Sequence, residues 1–206
     1  MGISDRKERE RQELKNRILD AARQLFLDKG VDNTSIRNIA EIIEYSPGTI
    51  YHYFKDKNDI LHNLHSEGFR QLRSRMTVLE AVSDPIEHLK ALGRVYVQFG
   101  LENRDMYDLM FIKDEPMEFV ENEEEDCWVE GSTTFDYLKK LIQKCMAKGF
   151  FPDQELEPLS FMIWSAVHGI VSLYIRNRTK ILSEEIQNSI VVDALESFNK
   201  LIDQQK

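Results

Sequence analysis

Cysteine is nearly missing from this 206-residue chain: there are two, Cys127 and Cys145, without CxxC-like spacing. That argues against a disulfide framework and the common cysteine metal motifs, and it predicts free thiols in a reducing compartment. Proline and glycine are also scarce, at 5 and 9 residues, which argues against a turn-rich β protein. No stretch alternates apolar and polar residues between turns, as a half-buried strand would. Internal repeats and Pro- or Ser-rich linkers are lacking too. The opening segment, MGISDRKERERQELK, is too charged for an apolar targeting region, so a cytoplasmic location is expected. One long apolar run exists, residues 159–175, but it holds His168 and serines and begins just after Pro158. Its length is near the lower limit for a membrane span, and a buried core helix is the expected reading.

An overall excess of basic charge is lacking as well, since the net charge is −9. The distribution is uneven. Residues 1–75 hold 14 Lys and Arg against 12 Asp and Glu, whereas residues 76–206 hold 13 against 24. One end can therefore meet a polyanion while the bulk of the chain stays acidic. Catalytic constellations are missing: there is no Ser/His/Asp or Cys/His arrangement and no phosphate-binding loop. His62 and His65 lie one turn apart without a third ligand nearby, and Glu121, Glu123, Glu124, Glu125 and Asp126 read as a solvated loop. No enzyme activity, metal or cofactor is expected.

What the sequence does have is helical periodicity. Leu14, Ile18, Ala21, Ala22, Leu25 and Phe26 share one stripe, closed by Lys29-Gly30. Residues 1–11 form a charged arm with no apolar face, expected to be disordered or ordered only against a partner. A second short helix follows Thr34-Ser35, with Ile36, Ile39, Ala40 and Ile43 inward. A third starts at Ser46-Pro47, a cap followed by proline at the first position, and Ile50 and Phe54 anchor it. A fourth begins after Asp56-Lys57 and carries Ile60, Leu61, Leu64, Gly68 and Leu72 on one stripe. Ser83-Asp84-Pro85-Ile86-Glu87 opens a helix that runs to about Gly100. A short apolar piece over 106–112, an acidic loop over 113–126 with Pro116, and helices over about 127–148, 155–178 and 183–204 complete the chain.

Three short helices with a tight turn between the second and third make a helix-turn-helix. The third helix must be polar outside, to enter a major groove, and apolar inside. SPGTIYHYFKDK meets both demands. Pro47, Gly48, Thr49, Tyr51, His52 and Tyr53 are free to face DNA, and Gly48 allows close backbone approach. The hydroxyls of Thr49 and Tyr53 suit phosphate oxygens, and Lys55 and Lys57 add charge just past the helix. Arg37 on the second helix can reach a guanine edge. Thr34, Ser35 and Ser46, at the helix starts, complete the candidate DNA-contact set.

The segment TSIRNIAEIIEYSPGTIYHYFKDKNDIL, with ILDAARQLFLDKG before it, resembles the DNA-binding domain of the tetracycline-repressor (TetR) family over residues 12–65. The resemblance implies that Arg37, Pro47, Gly48, Tyr51 and His52 meet bases and that Thr49, Tyr53 and Lys57 hold phosphates. One position departs. The family usually has glycine in the turn where this chain has Glu44, so a positive φ there would carry a strain cost. Trp164, His168 and Gly169 form a WxxxHG pattern that resembles a sensor domain found in part of the family.

The helix expected over 155–178 is apolar nearly all round and needs cover on two sides. Paired with the stripe of the last helix, it predicts a four-helix dimer interface through Ile163, Val167, Ile170, Tyr174, Ile190, Leu195 and Phe198, which matches how TetR-like repressors dimerise. Phe99, Tyr107, Met110, Phe111, Trp128, Phe135 and His168 are candidates to line an effector pocket.

The expected fold is therefore all-α. It has a charged arm at 1–11, a three-helix helix-turn-helix DNA-binding domain at 12–58, and a larger helical effector-binding and dimerisation domain at 59–206. The expected function is sequence-specific transcriptional regulation by a cytoplasmic homodimer on a double-stranded operator, repressing until a small, largely apolar effector releases it. The alternative is a DNA-bound regulator controlled by a protein partner with no small-molecule ligand.

Overall fold

Helices form where apolar residues recur at helical spacing, and they stop where the sequence supplies caps and left-handed positions. The computed structural model describes residues 2–113 and 129–206. In chain order the helices are α1 (Ile3–Lys29), α2 (Ile36–Ile43), α3 (Pro47–Tyr51), α4 (Lys57–Thr77), α5 (Pro85–Glu102), α6 (Arg104–Phe111), α7 (Val129–Ala147), α8 (Leu156–Ile175), α9 (Glu184–Gln187) and α10 (Ile190–Asp203). Single 3-10 turns lie at Val78–Ala81 and Arg178–Ile181. There is no strand among the described residues. The described residues divide into two compact units, one of residues 2–68 and 108–113 and the other of residues 69–107 and 129–206. Residues 114–126 of the expected acidic loop, Cys127 and Trp128 lie outside the described residues.

In the first unit α1 packs on α2, and α2 on α3. Ile18, Ile39 and Ile50 are wholly buried. Gly30 ends α1 at φ 83°, a conformation that glycine adopts without a Cβ clash. Ser35 and Ser46 cap α2 and α3. The expected disordered arm is instead helical, because α1 begins at Ile3. Extending a helix that the core has already nucleated is cheap, and pairs one turn apart support the exposed turns: Arg6 Nε to Glu10 Oε1 at 2.7 Å and Gln12 Nε2 to Asn16 Oδ1 at 2.8 Å.

In the second unit α5 packs against α7, α8 and α10. Asp84 Oδ1 accepts from the amides of Ile86 and Glu87, with Pro85 at the first helical position. The expected helix over 183–204 is broken into α9 and α10 at Asn188-Ser189, where Ser189 N–H turns back to Ile186 O. Asn and Ser compete with helical hydrogen bonding, which explains the break. α8 is long and apolar enough to cross a membrane by length and composition, yet only 28% of its most apolar window is buried. It buries the stripe Leu159, Ser160, Ile163, Val167 and Val171 and leaves Phe161, Met162 and Leu173 exposed. Within one chain, therefore, this apolar helix is covered along one stripe only.

Two glycines on α5 differ in how tightly they are held. A Cβ on Gly100 would lie 2.5 Å from Val171 Cγ1 and 2.9 Å from Tyr107 Cδ2, whereas one on Gly93 would meet Val167 and Leu195 at ordinary contact distance. Gly100→Ala is expected to destabilise the body by about 1–3 kcal/mol through overpacking, and Gly93→Ala to be neutral or stabilising. Thermal unfolding followed by circular dichroism distinguishes them, and equal midpoints for the two variants would contradict this packing.

Candidate DNA-reading head and sensor site

The turn between α2 and α3 sets the geometry of the head. Glu44 is left-handed, with φ 60° and ψ 40°. Tyr45 N–H reaches back to Ala40 O at 3.0 Å and closes α2 in a Schellman-type cap. Arg17 holds this turn from α1: its Nη2 donates to Ile43 O at 3.1 Å, and its guanidinium lies over the Tyr45 ring at 5.4 Å. Sequence reasoning missed Arg17, because its partner is a backbone carbonyl 26 positions away. Ser46 Oγ then accepts from Thr49 N–H at 3.2 Å and starts α3.

Only five residues make α3. Its inner side is fixed by Ile50, with no exposure, and the following Phe54 is 2% exposed. Its outer side presents Gly48, Tyr51 and His52 to solvent, with Pro47, Thr49 and Tyr53 half-buried. Arg37 and Lys55 are exposed. Lys57 Nζ donates to Val31 O at 2.7 Å, which ties the start of α4 to the loop between α1 and α2. Ser35 is exposed and doubly engaged with Asn38. Thr34 does not fit the expected contact set. It is buried, and its hydroxyl donates to Gly30 O at 2.8 Å inside the head, closing the loop after α1.

In the second unit four side chains from three helices meet. Trp164 Nε1 donates to Tyr96 Oη at 3.0 Å, Tyr96 and Tyr107 hydroxyls are 3.1 Å apart, and His168 Nδ1 lies 2.7 Å from Tyr107 Oη and 3.2 Å from Tyr96 Oη. Indole N–H can only donate. The polarity that satisfies the series runs from Trp164 through Tyr96 and Tyr107 to an unprotonated Nδ1, with His168 neutral. Burial acts in the same direction, lowering the His168 pKa and raising those of both tyrosines. Tyr107 stacks on His168 at 5.5 Å, and Phe135 packs on Trp164 at 5.9 Å. Phe135, Trp164 and His168, at the border of this cluster, are half-buried, whereas Tyr96 and Tyr107 are buried.

The last turn of α4 is fastened to the same unit. Tyr137 Oη donates to Met76 O at 3.3 Å and lies 3.1 Å from His88 Nε2, while Arg75 pairs with Glu102 at 2.6 Å and covers the Phe99 ring.

Comparison with known proteins places both units. Residues 18–64 match the model for bacterial regulatory proteins of the tetR family, and residues 89–202, more than half of the chain, match the tetracyclin repressor-like C-terminal domain. The chain belongs to the tetR family. It is 45% identical over 51 residues to the HTH-type transcriptional regulator AcrR of Shigella flexneri, covering 25% of this chain and 24% of that protein. It is 24% identical over 155 residues to the HTH-type transcriptional repressor KstR2 of Mycolicibacterium smegmatis, covering 69% and 70%. The chain thus spans about a quarter of the first of these curated relatives. Among solved structures, the fatty acid degradation regulator FadR from Bacillus halodurans superposes with a TM-score of 0.72 at 20% identity, covering 88% of this chain and 92% of FadR. The family consists of transcriptional regulators, not enzymes.

Within this tetR-family body the expected site residues scatter. Tyr107, Phe135 and His168 join the aromatic cluster, with Tyr96 and Trp164 as members the expected pocket set omitted; the WxxxHG spacing signalled Trp164 but not Tyr96. Phe99 is wholly buried beneath Arg75. Met110 and Phe111 belong to the first unit, and Trp128 lies outside the described residues. Of the expected dimer residues, Ile163, Val167 and Leu195 are buried inside the chain, since the i, i+4 stripe of α8 is used by its own core. Ile170, Tyr174, Ile190 and Phe198 are half-buried. On α8 and α10 the large apolar side chains left exposed are Phe161, Met162, Leu173, Val192 and Leu201.

Two outcomes are expected. Glu44→Gly removes a left-handed penalty and should stabilise the head by about 0.5–1 kcal/mol, seen as a higher unfolding midpoint; an unchanged or lower midpoint would show that Glu44 is not strained. His168 and His88 both have pKa values below the ordinary 6.5, His168 through burial and His88 through burial and then Lys144. The unfolded chain therefore binds more protons in mild acid. Stability should be full above 6.5 and fall as pH drops through that value toward the lowered ones. Thermal unfolding across this range, repeated with His168→Gln, should show a shallower fall in the variant.

Proposed function

We propose that this chain is a sequence-specific, DNA-binding transcriptional regulator that works in the cytoplasm as a homodimer, repressing until a small, largely apolar effector releases it. The observation that carries the reading is the head: a five-residue α3 anchored by Ile50 and Phe54 offers its other side to solvent behind a fixed turn. Arg37, Pro47, Gly48, Tyr51 and His52 are the proposed base contacts, and Ser35, Ser46, Thr49, Tyr53, Lys55 and Lys57 the proposed phosphate contacts. Residues 12–58 form the proposed reading domain and residues 59–206 the sensing and dimerising one.

The uncovered apolar face of α8 and α10 supports a dimer, since Phe161, Met162, Leu173, Val192 and Leu201 are what a second copy would cover. Two-fold symmetry then gives two heads for two half-sites. The effector class is supported by the aromatic wall around the Tyr96–Tyr107–His168 hydrogen bonds, which suits an apolar ligand with one polar end. A fatty acid regulator among the folds similar to this one is in keeping with that class. Release follows if the effector shifts α7, whose Tyr137 holds the end of α4, and so biases the equilibrium between head spacings.

The test is fluorescence anisotropy with duplex DNA from the gene's own upstream region. Wild type should bind in a salt-sensitive way and prefer that duplex to a scrambled one. Tyr51→Ala should lose about 1–3 kcal/mol of that preference while keeping non-specific binding. Equal binding of both duplexes by wild type would reject the reading. Failure of every apolar effector tested to release a specific complex would favour control by a protein partner.

A further inference from the structure

We infer that the first three turns of α1 are a phosphate-gripping arm that extends the DNA footprint beyond the helix-turn-helix. This rests on the DNA-binding reading above. The sequence alone offered a charged arm without an apolar face, but the helix gives it a register. Lys7, Arg11 and Lys15 follow one another at four-residue spacing, and the same stripe continues as Ile18, Ala22 and Leu25, which are buried in the head. The face that is core from Ile18 onward is therefore cationic before it. Lys15 marks the change: it is half-buried, and its ammonium lies 5.5 Å over the ring of Phe54, the anchor that follows α3. Arg11 and Lys7 stand about 6 and 12 Å further out along the same line, at 1.5 Å per residue.

The rest of the arm is occupied differently. Arg6 pairs with Glu10, Gln12 bonds Asn16, and Asp5 accepts from the Gly2 amide. Lys7 and Arg11 are exposed, and neither has an ion pair or hydrogen bond among the described residues. The cations without internal work are thus the ones on the side of α1 that packs against the reading helices. Their spacing of about one helical turn sets both cations in one line along the helix, and a groove-bound head would carry this side toward the backbone flanking its half-site. Such contacts add affinity without sequence information and release counterions.

The experiment compares full-length wild type with Lys7→Gln/Arg11→Gln and, as a control on another face, Glu13→Gln, with helicity checked by circular dichroism. Affinity is measured against the upstream duplex and a scrambled duplex at several salt concentrations. The double variant should bind both duplexes roughly ten-fold more weakly, with the slope of log affinity against log salt reduced by about 1.8. Its preference between the duplexes should be unchanged, and Glu13→Gln should bind no more weakly than wild type. Tyr51→Ala separates the two ideas, because it should erase the preference and leave the salt slope. Wild-type affinity and slope in the double variant would overturn the arm whatever the preference. A wild type without preference, whose slope still falls by this amount in the double variant, would sustain the arm and reject the operator reading.

Discussion

A helix of five residues cannot hold itself together in water, because the cost of fixing its first turn exceeds what its few internal hydrogen bonds return. α3 exists only because Ile50 and Phe54 are buried against the rest of the head. Everything proposed for the outer side of α3 depends on that burial. So does the turn before it, where Glu44 accepts a left-handed backbone that glycine would adopt more readily. The turn persists because Tyr45 N–H and Arg17 both satisfy carbonyls at the end of α2. The head is thus fixed from inside, and its polar side chains are left to the partner.

The body follows a different rule. α5 is surrounded by α7, α8 and α10, and at Gly100 there is room for no more than a hydrogen on the α carbon, since Val171 and Tyr107 crowd that place. This close approach brings Tyr107 and Tyr96 to His168 and Trp164. The resulting hydrogen bonds are polar within an apolar setting, where satisfied networks specify one arrangement and partly satisfied ones are costly. A ligand competing for these groups would have to supply equivalent partners, and that demand makes such a cluster selective. From the same helices, Tyr137 on α7 bonds Met76 O and Glu102 on α5 pairs with Arg75, both at the end of α4.

Much of the fold was legible because it is written locally. Ser46-Pro47, Asp84-Pro85 and Gly30 mark helix ends by chemistry that acts over a few residues, and each appears where the sequence predicts it. The tetR-family resemblance rested on the same kind of signal and was carried by residues of the head. Thr34 misled because a hydroxyl before a helix looks alike whether it faces a phosphate or a carbonyl; Gly30 O took it. Residues 1–11 misled because an apolar stripe is not needed to prolong a helix already nucleated.

The sequence by itself determined most of the helices, the caps at Ser35, Ser46 and Asp84, and the apolar excess of α8, because each depends on neighbours within one or two turns. Only the tertiary structure decided which side of α8 its own core consumes, which cations on the core-facing side of α1 have no ion pair among the described residues, and that Tyr96, Tyr107, Trp164 and His168 share hydrogen bonds across up to 72 positions of chain. Periodicity states that a helix has faces. It does not state what stands opposite them, since that depends on how distant helices close around a common core.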